Sequence, residues 1–133
     1  MRFTRFFPNE KGQGLVEMAL VLPILLLLLF GIVEFGRVYG SALLVSSLAR
    51  DGARFGAVGH NDAEIENLIT SRASWLNPGA LSVNISPSYE DRVRGEALAV
   101  RVDYSVDLII PLIADILPNP LPLSSECFMR IEK

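Results

Sequence analysis

The chain has 133 residues, half of them apolar, with 12 basic and 15 acidic side chains, one histidine and one cysteine. That length accommodates one ordinary domain, or a membrane anchor with a smaller folded part. One cysteine excludes an internal disulfide, and one histidine excludes a His-rich metal site. The first fourteen residues carry +2, so the remainder of a −3 chain carries −5 and offers no basic surface for a phosphate backbone.

Residues 1–12 are polar and basic, with Arg2, Arg5 and Lys11 against Glu10, and with Phe3, Phe6, Phe7 and Pro8 before Lys11-Gly12. They read as a leader rather than a folding unit. From Met18 to Val33 no charged or amide side chain occurs, and Leu25 to Leu29 are consecutive leucines. As helix, Leu15 to Val33 spans about 28 Å, close to the roughly 30 Å hydrocarbon thickness of a bilayer. Leu15, Leu20, Leu25, Leu29 and Val33 therefore mark a membrane span. A soluble core helix would need more protein around those leucines than the rest of the chain supplies. A cleaved secretory signal is disfavoured by the length of the apolar core and by Glu34-Phe35-Gly36-Arg37 where a small-x-small cleavage site would stand. The cationic flank predicts a cytoplasmic N-terminus.

The helical pattern continues past the span. Leu44, Leu48, Asp51 and Phe55 share one face, and Val38, Ala42, Val45 and Ala49 form a second stripe. Ser41, Ser46, Ser47, Arg50, Asp51 and Arg54 make this half amphipathic. One long helix is predicted from Gln13 to Ala57, with Pro23 inside it and with Gly56 and Gly59 as its stop. Gly36-x-x-x-Gly40 is read as a site of close helix packing.

A second helix is signalled by Asn61, with Glu64 three residues on as in a capping box, followed by Ile65, Leu68, Ile69, Arg72 and Leu76. Asn77-Pro78-Gly79 ends it, and Trp75 and Leu76 are expected to close the core. The period then changes to two. Leu81, Val83 and Ile85 form one strand; Leu98, Val100, Val102, Tyr104 and Val106 form a second. Ile109 to Pro122, broken by Pro111, Pro118, Pro120 and Pro122, is not regular strand, and Leu112 to Leu117 is a short helical turn or an apolar loop. A last strand covers Leu123 to Glu132, with Cys127 as a small buried side chain. The expected fold is α+β: a long N-terminal helix, half transmembrane and half amphipathic, packed on one helix and a three-stranded antiparallel sheet. The chain divides into a leader (1–12), a transmembrane and stem helix (13–58) and a small extracytoplasmic domain (59–133).

Glu17 does not fit a plain anchor. An ionisable group costs roughly 2.5 to 3.5 kcal/mol at the centre of a membrane helix, less near the interface. The bland reading puts it at headgroup depth, in a first turn whose dipole favours an anion by roughly 0.3 to 1 kcal/mol. A sharper one follows from its position five residues after Gly12. A cut after Gly12 creates an α-amine on Gln13, about one turn from Glu17 or within reach of the Glu17 of a neighbouring copy. Such a pair would set the register of helices packed side by side.

The stretch Lys11-Gly12-Gln13-Gly14-Leu15-Val16-Glu17-Met18-Ala19-Leu20-Val21-Leu22-Pro23, with Phe30-Gly31-Ile32-Val33-Glu34-Phe35-Gly36-Arg37 beyond the leucines, resembles the N-terminus of the TadE-type pseudopilins of the Flp (tight adherence) pilus system. Ala99 to Tyr104, Ile110 to Ile113 and Cys127 to Arg130 also resemble that family, so the likeness runs over nearly the whole chain. The resemblance implies a prepilin leader removed after Gly12 by a dedicated peptidase, with Gln13 as the mature N-terminus. Family members commonly carry an aromatic after the glutamate, where this chain has Met18. Gly14 offers an alternative cut that would leave Glu17 third in the mature chain.

The family's role is that of a minor pseudopilin, a structural and assembly component of a Tad/Flp pilus apparatus involved in adhesion. Its implied partners are the prepilin peptidase, other pilin and pseudopilin subunits, the inner-membrane assembly platform and the lipid bilayer. The expected location is the bacterial inner membrane, single-pass, with the C-terminal domain periplasmic or extracellular. No catalytic residue, metal site, cofactor, nucleic acid or small-molecule substrate is expected. His60 reads as a solvated loop residue. Glu64, Glu66, Glu90, Asp91, Glu96 and Asp103 lie on predicted exposed faces without a motif spacing, and the serines have no base beside them. From another class, the alternative is an uncleaved single-pass protein with an extracytoplasmic binding domain, which needs neither Gly12 nor Glu17.

Overall fold

The computed structural model describes residues 10–133. The first helix, α1, covers Glu10–Ala57 and passes unbroken through Pro23. Forty-eight helical residues make a rod about 72 Å long, so α1 outruns a bilayer and half of it must find another environment. It begins three residues before the expected Gln13, and Gly12 lies inside it. At its other end Gly59, at φ +103°, donates its N–H to the Gly56 carbonyl at 3.1 Å and turns the chain away. Only a residue without a Cβ enters that conformation freely. Gly56, expected to share in the stop, is instead a buried helical residue.

The second helix, α2 (Asp62–Arg72), starts as its sequence dictates. The Asn61 side chain accepts from the Glu64 N–H at 2.9 Å, while the Glu64 carboxylate accepts from the Asn61 N–H at 3.0 Å. It ends at Arg72, with Ala73 as its C-cap, rather than continuing to Leu76. Three strands follow, β1 (Leu81–Ser86), β2 (Ala97–Val106) and β3 (Leu121–Arg130), with a one-turn helix, α3 (Pro111–Ala114), between the last two. They form an antiparallel meander with β2 in the centre, Leu81 opposite Tyr104 and Val100 opposite Cys127. Pro122 does enter β3, against expectation. β3 is an edge strand, where a residue without an N–H can be tolerated.

The core lies between the outer half of α1, α2 and one sheet face: Val45, Leu48, Ala49 and Ala53 meet Ile65, Ile69 and Leu76 on one side and Leu98, Val100, Val102 and Ile131 on the other. Burying each of the larger side chains contributes about 1.5–3 kcal/mol. Leu44 and Phe55 flank this line half-buried. Within the chain, close approach happens at Gly52 and Gly56. A Cβ at Gly56 would lie 2.5 Å from Leu98 and 2.7 Å from Ile65, and one at Gly52 would lie 2.8 Å from Ile69. A Cβ at Gly36 would meet nothing, and one at Gly40 would make only an ordinary contact with the edge of the Trp75 ring. Trp75 itself is 54% exposed, so Leu76 closes the core alone.

Two carboxylates of this domain sit below their ordinary range. The Asn61 N–H, with the His60 side chain second, lowers Glu64; Ser124, with Arg101 and Asn84, lowers Asp103. Lowered folded values mean that the unfolded chain binds more protons as the medium acidifies. Their contribution is complete above the ordinary carboxylate values of 4.5 and 3.8 and is lost as pH falls through the lower folded ones. The full-length protein in detergent is expected to lose domain stability in acid, and Glu64→Gln with Asp103→Asn to flatten that loss. Parallel acid titrations of Trp75 fluorescence for the wild type and the double variant would refute it.

Candidate functional site

Two halves of α1 have opposite fates. From Gly40 onward its inner face is covered by the domain. From Leu15 to Phe30 nothing covers it, and Leu15, Leu20, Leu25 and Leu29, with Val33 just beyond the half-buried Gly31, stand exposed among a ring of other apolar side chains. A continuous apolar cylinder of this length in water would be exceptional for a soluble domain. In hydrocarbon its backbone is internally bonded and its side chains need no further partner.

At the start of that cylinder the helix brings Gln13 beside Glu17. Gly12 is half-buried in α1, Gln13 is exposed, and the Gln13 side-chain amide donates to Glu17 Oε1 at 3.2 Å, one turn away. This is a hydrogen bond to a neutral group, so it occupies one oxygen without compensating the charge. The leader expected over residues 1–12 falls mainly on residues 1–9, outside the described residues; its last three, Glu10 to Gly12, are helical.

At the far end of the cylinder stands an arrangement that sequence reading passed over. Glu34 is only 4% exposed. Its Oε1 accepts from Arg37 at 2.8 Å and from the Ile109 N–H at 3.3 Å, and the Arg37 guanidinium also donates to the Asp107 carbonyl. The proline-broken segment is thereby clipped to α1 where the apolar run stops. The available signal was an acid and a base three residues apart, immediately after sixteen residues without charge; their partners are backbone atoms 70 and 75 residues away. An apolar cleft of about 240 Å³ lies beside the clip, lined by Gly31, Phe35, Val38, Leu108, Ile113 and Leu117 among others.

The remaining candidates resolve simply. His60 is not merely solvated: its ring stacks on Phe55, with centroids 3.5 Å apart, and its Nδ1 donates to Glu64 Oε2 at 3.1 Å. Cys127 is half-buried, with its side chain packed against the core.

One long, uncovered apolar helix carrying a small α+β domain on its outer half fits a single-pass membrane protein. Within that class the chain has a recognisable relation. Residues 12–54 match the family model described as TadE-like protein, consistent with a TadE-like protein of the Tad/Flp pilus system. The match covers about a third of the chain and takes in Gly12, Glu17, Pro23 and Gly31 to Arg37; the likeness seen in β2, the α3 loop and β3 lies outside it. No curated protein and no solved structure matches.

Proposed function

We propose that this chain is a minor pseudopilin, a structural and assembly component of a Tad/Flp pilus apparatus involved in adhesion, and that it acts by packing rather than by catalysis. The carrying observation is a TadE-like segment whose uncovered apolar stretch, Leu15 to Phe30, bears one carboxylate, Glu17, a single turn from Gln13. In this reading the helix rests in the inner membrane with its N-terminus in the cytoplasm. A prepilin peptidase cuts after Gly12, and the new ammonium of Gln13 compensates Glu17 on the same helix or on a neighbour. Lipid contacts along Leu15 to Val33 are then exchanged for contacts with other pilin and pseudopilin helices at the assembly platform.

Helical backbone does not fit a peptidase cleft in extended form, so the first turn must unwind before cutting. Gly12 and Gly14 ease this, each weakening helix by about 1 kcal/mol relative to alanine. One observation favours the rival reading of an uncleaved anchor: α1 runs straight through Gly12, and the Gln13 amide already engages Glu17 without processing.

Mass spectrometry of the protein from its native membrane separates the two. The wild type is expected to begin at Gln13 and Gly12→Ala to keep its leader. Retention of Met1 in both proteins would remove the first step of the pseudopilin mechanism and leave the anchored binding domain as the better reading.

A further inference from the structure

We propose that the segment between β2 and β3 is a second membrane-contacting element, lying at headgroup depth in the outer leaflet of the bilayer that α1 crosses. The inference rests on α1 spanning a bilayer and not on its processing.

The first observation is apolar exposure at a defined height. Ile109 is 70% and Ile116 78% exposed, and Leu117 is 44% exposed, on a loop whose other face is clipped to α1 by Glu34 and Arg37. The cleft between loop and helix has Gly31 in its lining, a residue of the uncharged run itself. The loop's apolar side chains are therefore continuous with the lipid-facing surface of the span.

The second observation concerns the backbone. Leu108 N–H donates to Asn119 Oδ1 at 3.1 Å and Ile109 N–H to Glu34. The N–H groups of Ile113, Ala114, Asp115, Ile116 and Leu117 all bond to carbonyls of Ile110, Pro111 or Ile113, and Pro111, Pro118 and Pro120 have no N–H to satisfy. Unpaired backbone donors are what keep most loops in water. This loop has largely disposed of them, and the prolines that forbid regular strand are part of the means.

Aromatic side chains supply a third. Phe35 and Tyr39, both exposed, stack on the outside of α1 with ring centroids 5.9 Å apart, and Trp75 lies over Gly40. Phe35 to Gly40 rises about 7.5 Å along the helix, comparable to one headgroup layer of a bilayer roughly 40–45 Å thick overall with a roughly 30 Å core. Tyr and Trp favour that layer. Depth is bounded from the other side by Asp107 and Asp115, exposed on the same loop, which hold it at the interface and out of the hydrocarbon.

The test uses the full-length protein with Cys127→Ser, reconstituted in phosphatidylcholine vesicles, with single nitroxide labels at Ile109→Cys, Ile116→Cys, Leu25→Cys and Ser82→Cys. Collision with oxygen, which concentrates in lipid, is compared with collision with a water-soluble nickel chelate. At positions 109 and 116 the oxygen-to-nickel collision ratio is expected to fall between the high value at position 25 and the low value at position 82 on β1. A ratio at both loop positions as low as at position 82, with position 25 still in lipid, would overturn the loop contact alone; nickel dominance at position 25 would overturn the span itself. Shielding of the loop from both reagents that lifts on diluting the protein in lipid would assign the surface to a second copy of the chain and overturn the lipid contact.

Discussion

Gly56→Val is expected to lower the stability of the outer domain by about 2–4 kcal/mol, and Gly56→Ala by about 1–2 kcal/mol. A Cβ at position 56 would stand 2.5 Å from the Leu98 side chain and 2.7 Å from Ile65. Both of those side chains are fully buried, so neither has open space into which to retreat. Alanine adds one carbon, and its gain in helix propensity, at most about 1 kcal/mol and less at a helix end, offsets only part of the overpacking. Valine adds three carbons and, being β-branched, recovers less propensity. Urea unfolding of the full-length protein in detergent, followed through Trp75, measures both; valine within about 0.5 kcal/mol of wild type would contradict the packing described.

Arg92→Ala is expected to cost about 2–4 kcal/mol, towards the lower end because its partner carboxylate is partly solvated. The Arg92 side chain is 4% exposed; its guanidinium pairs with Asp62, donates to the His60 carbonyl at 2.7 Å and the Pro87 carbonyl at 3.3 Å, and lies 5.5 Å from the Tyr89 ring centroid. Asp62 also accepts from the Tyr89 N–H at 3.1 Å. One side chain thus ties the β1–β2 connection to the start of α2, and its loss leaves several acceptors unpaired at once. Lysine lacks the planar fork and is expected to restore less than half of the loss. The same unfolding assay with Arg92→Ala, Asp62→Asn and the double variant would show coupling above about 1 kcal/mol if the clamp is as described. Additive losses would refute it.

Local signals account for what was readable beforehand. The membrane run announces itself through composition, α2 through a capping box closed within four residues, and the strands through a change of period at Leu81. Each depends on neighbours in sequence, where spacing alone brings side chains together. The same holds for Gln13 and Glu17, one helical turn apart.

Misreadings occurred where a residue's role is set by something distant. Gly56 looks like a terminator because glycine often is one, yet Leu98 and Ile65, brought over it by α2 and β2, make it a packing position. Trp75 looks like core because of its size, but the chain turns at Ala73 and puts Leu76 inside instead. Pro122 looks incompatible with a strand until β3 proves to be an edge.

Glu34 is the fullest case. As sequence it is one charge flanking a membrane run, and only the return of the chain through Asp107 and Ile109 makes it a buried acceptor. Composition and periodicity alone marked an apolar run long enough to span a bilayer, predicted which way it faces, and called for an α+β domain after it. The tertiary structure decided which glycines admit close packing, which acid is buried, and that the proline-rich loop returns to the end of the span, because contacts between residues far apart in the chain leave no periodic trace in it.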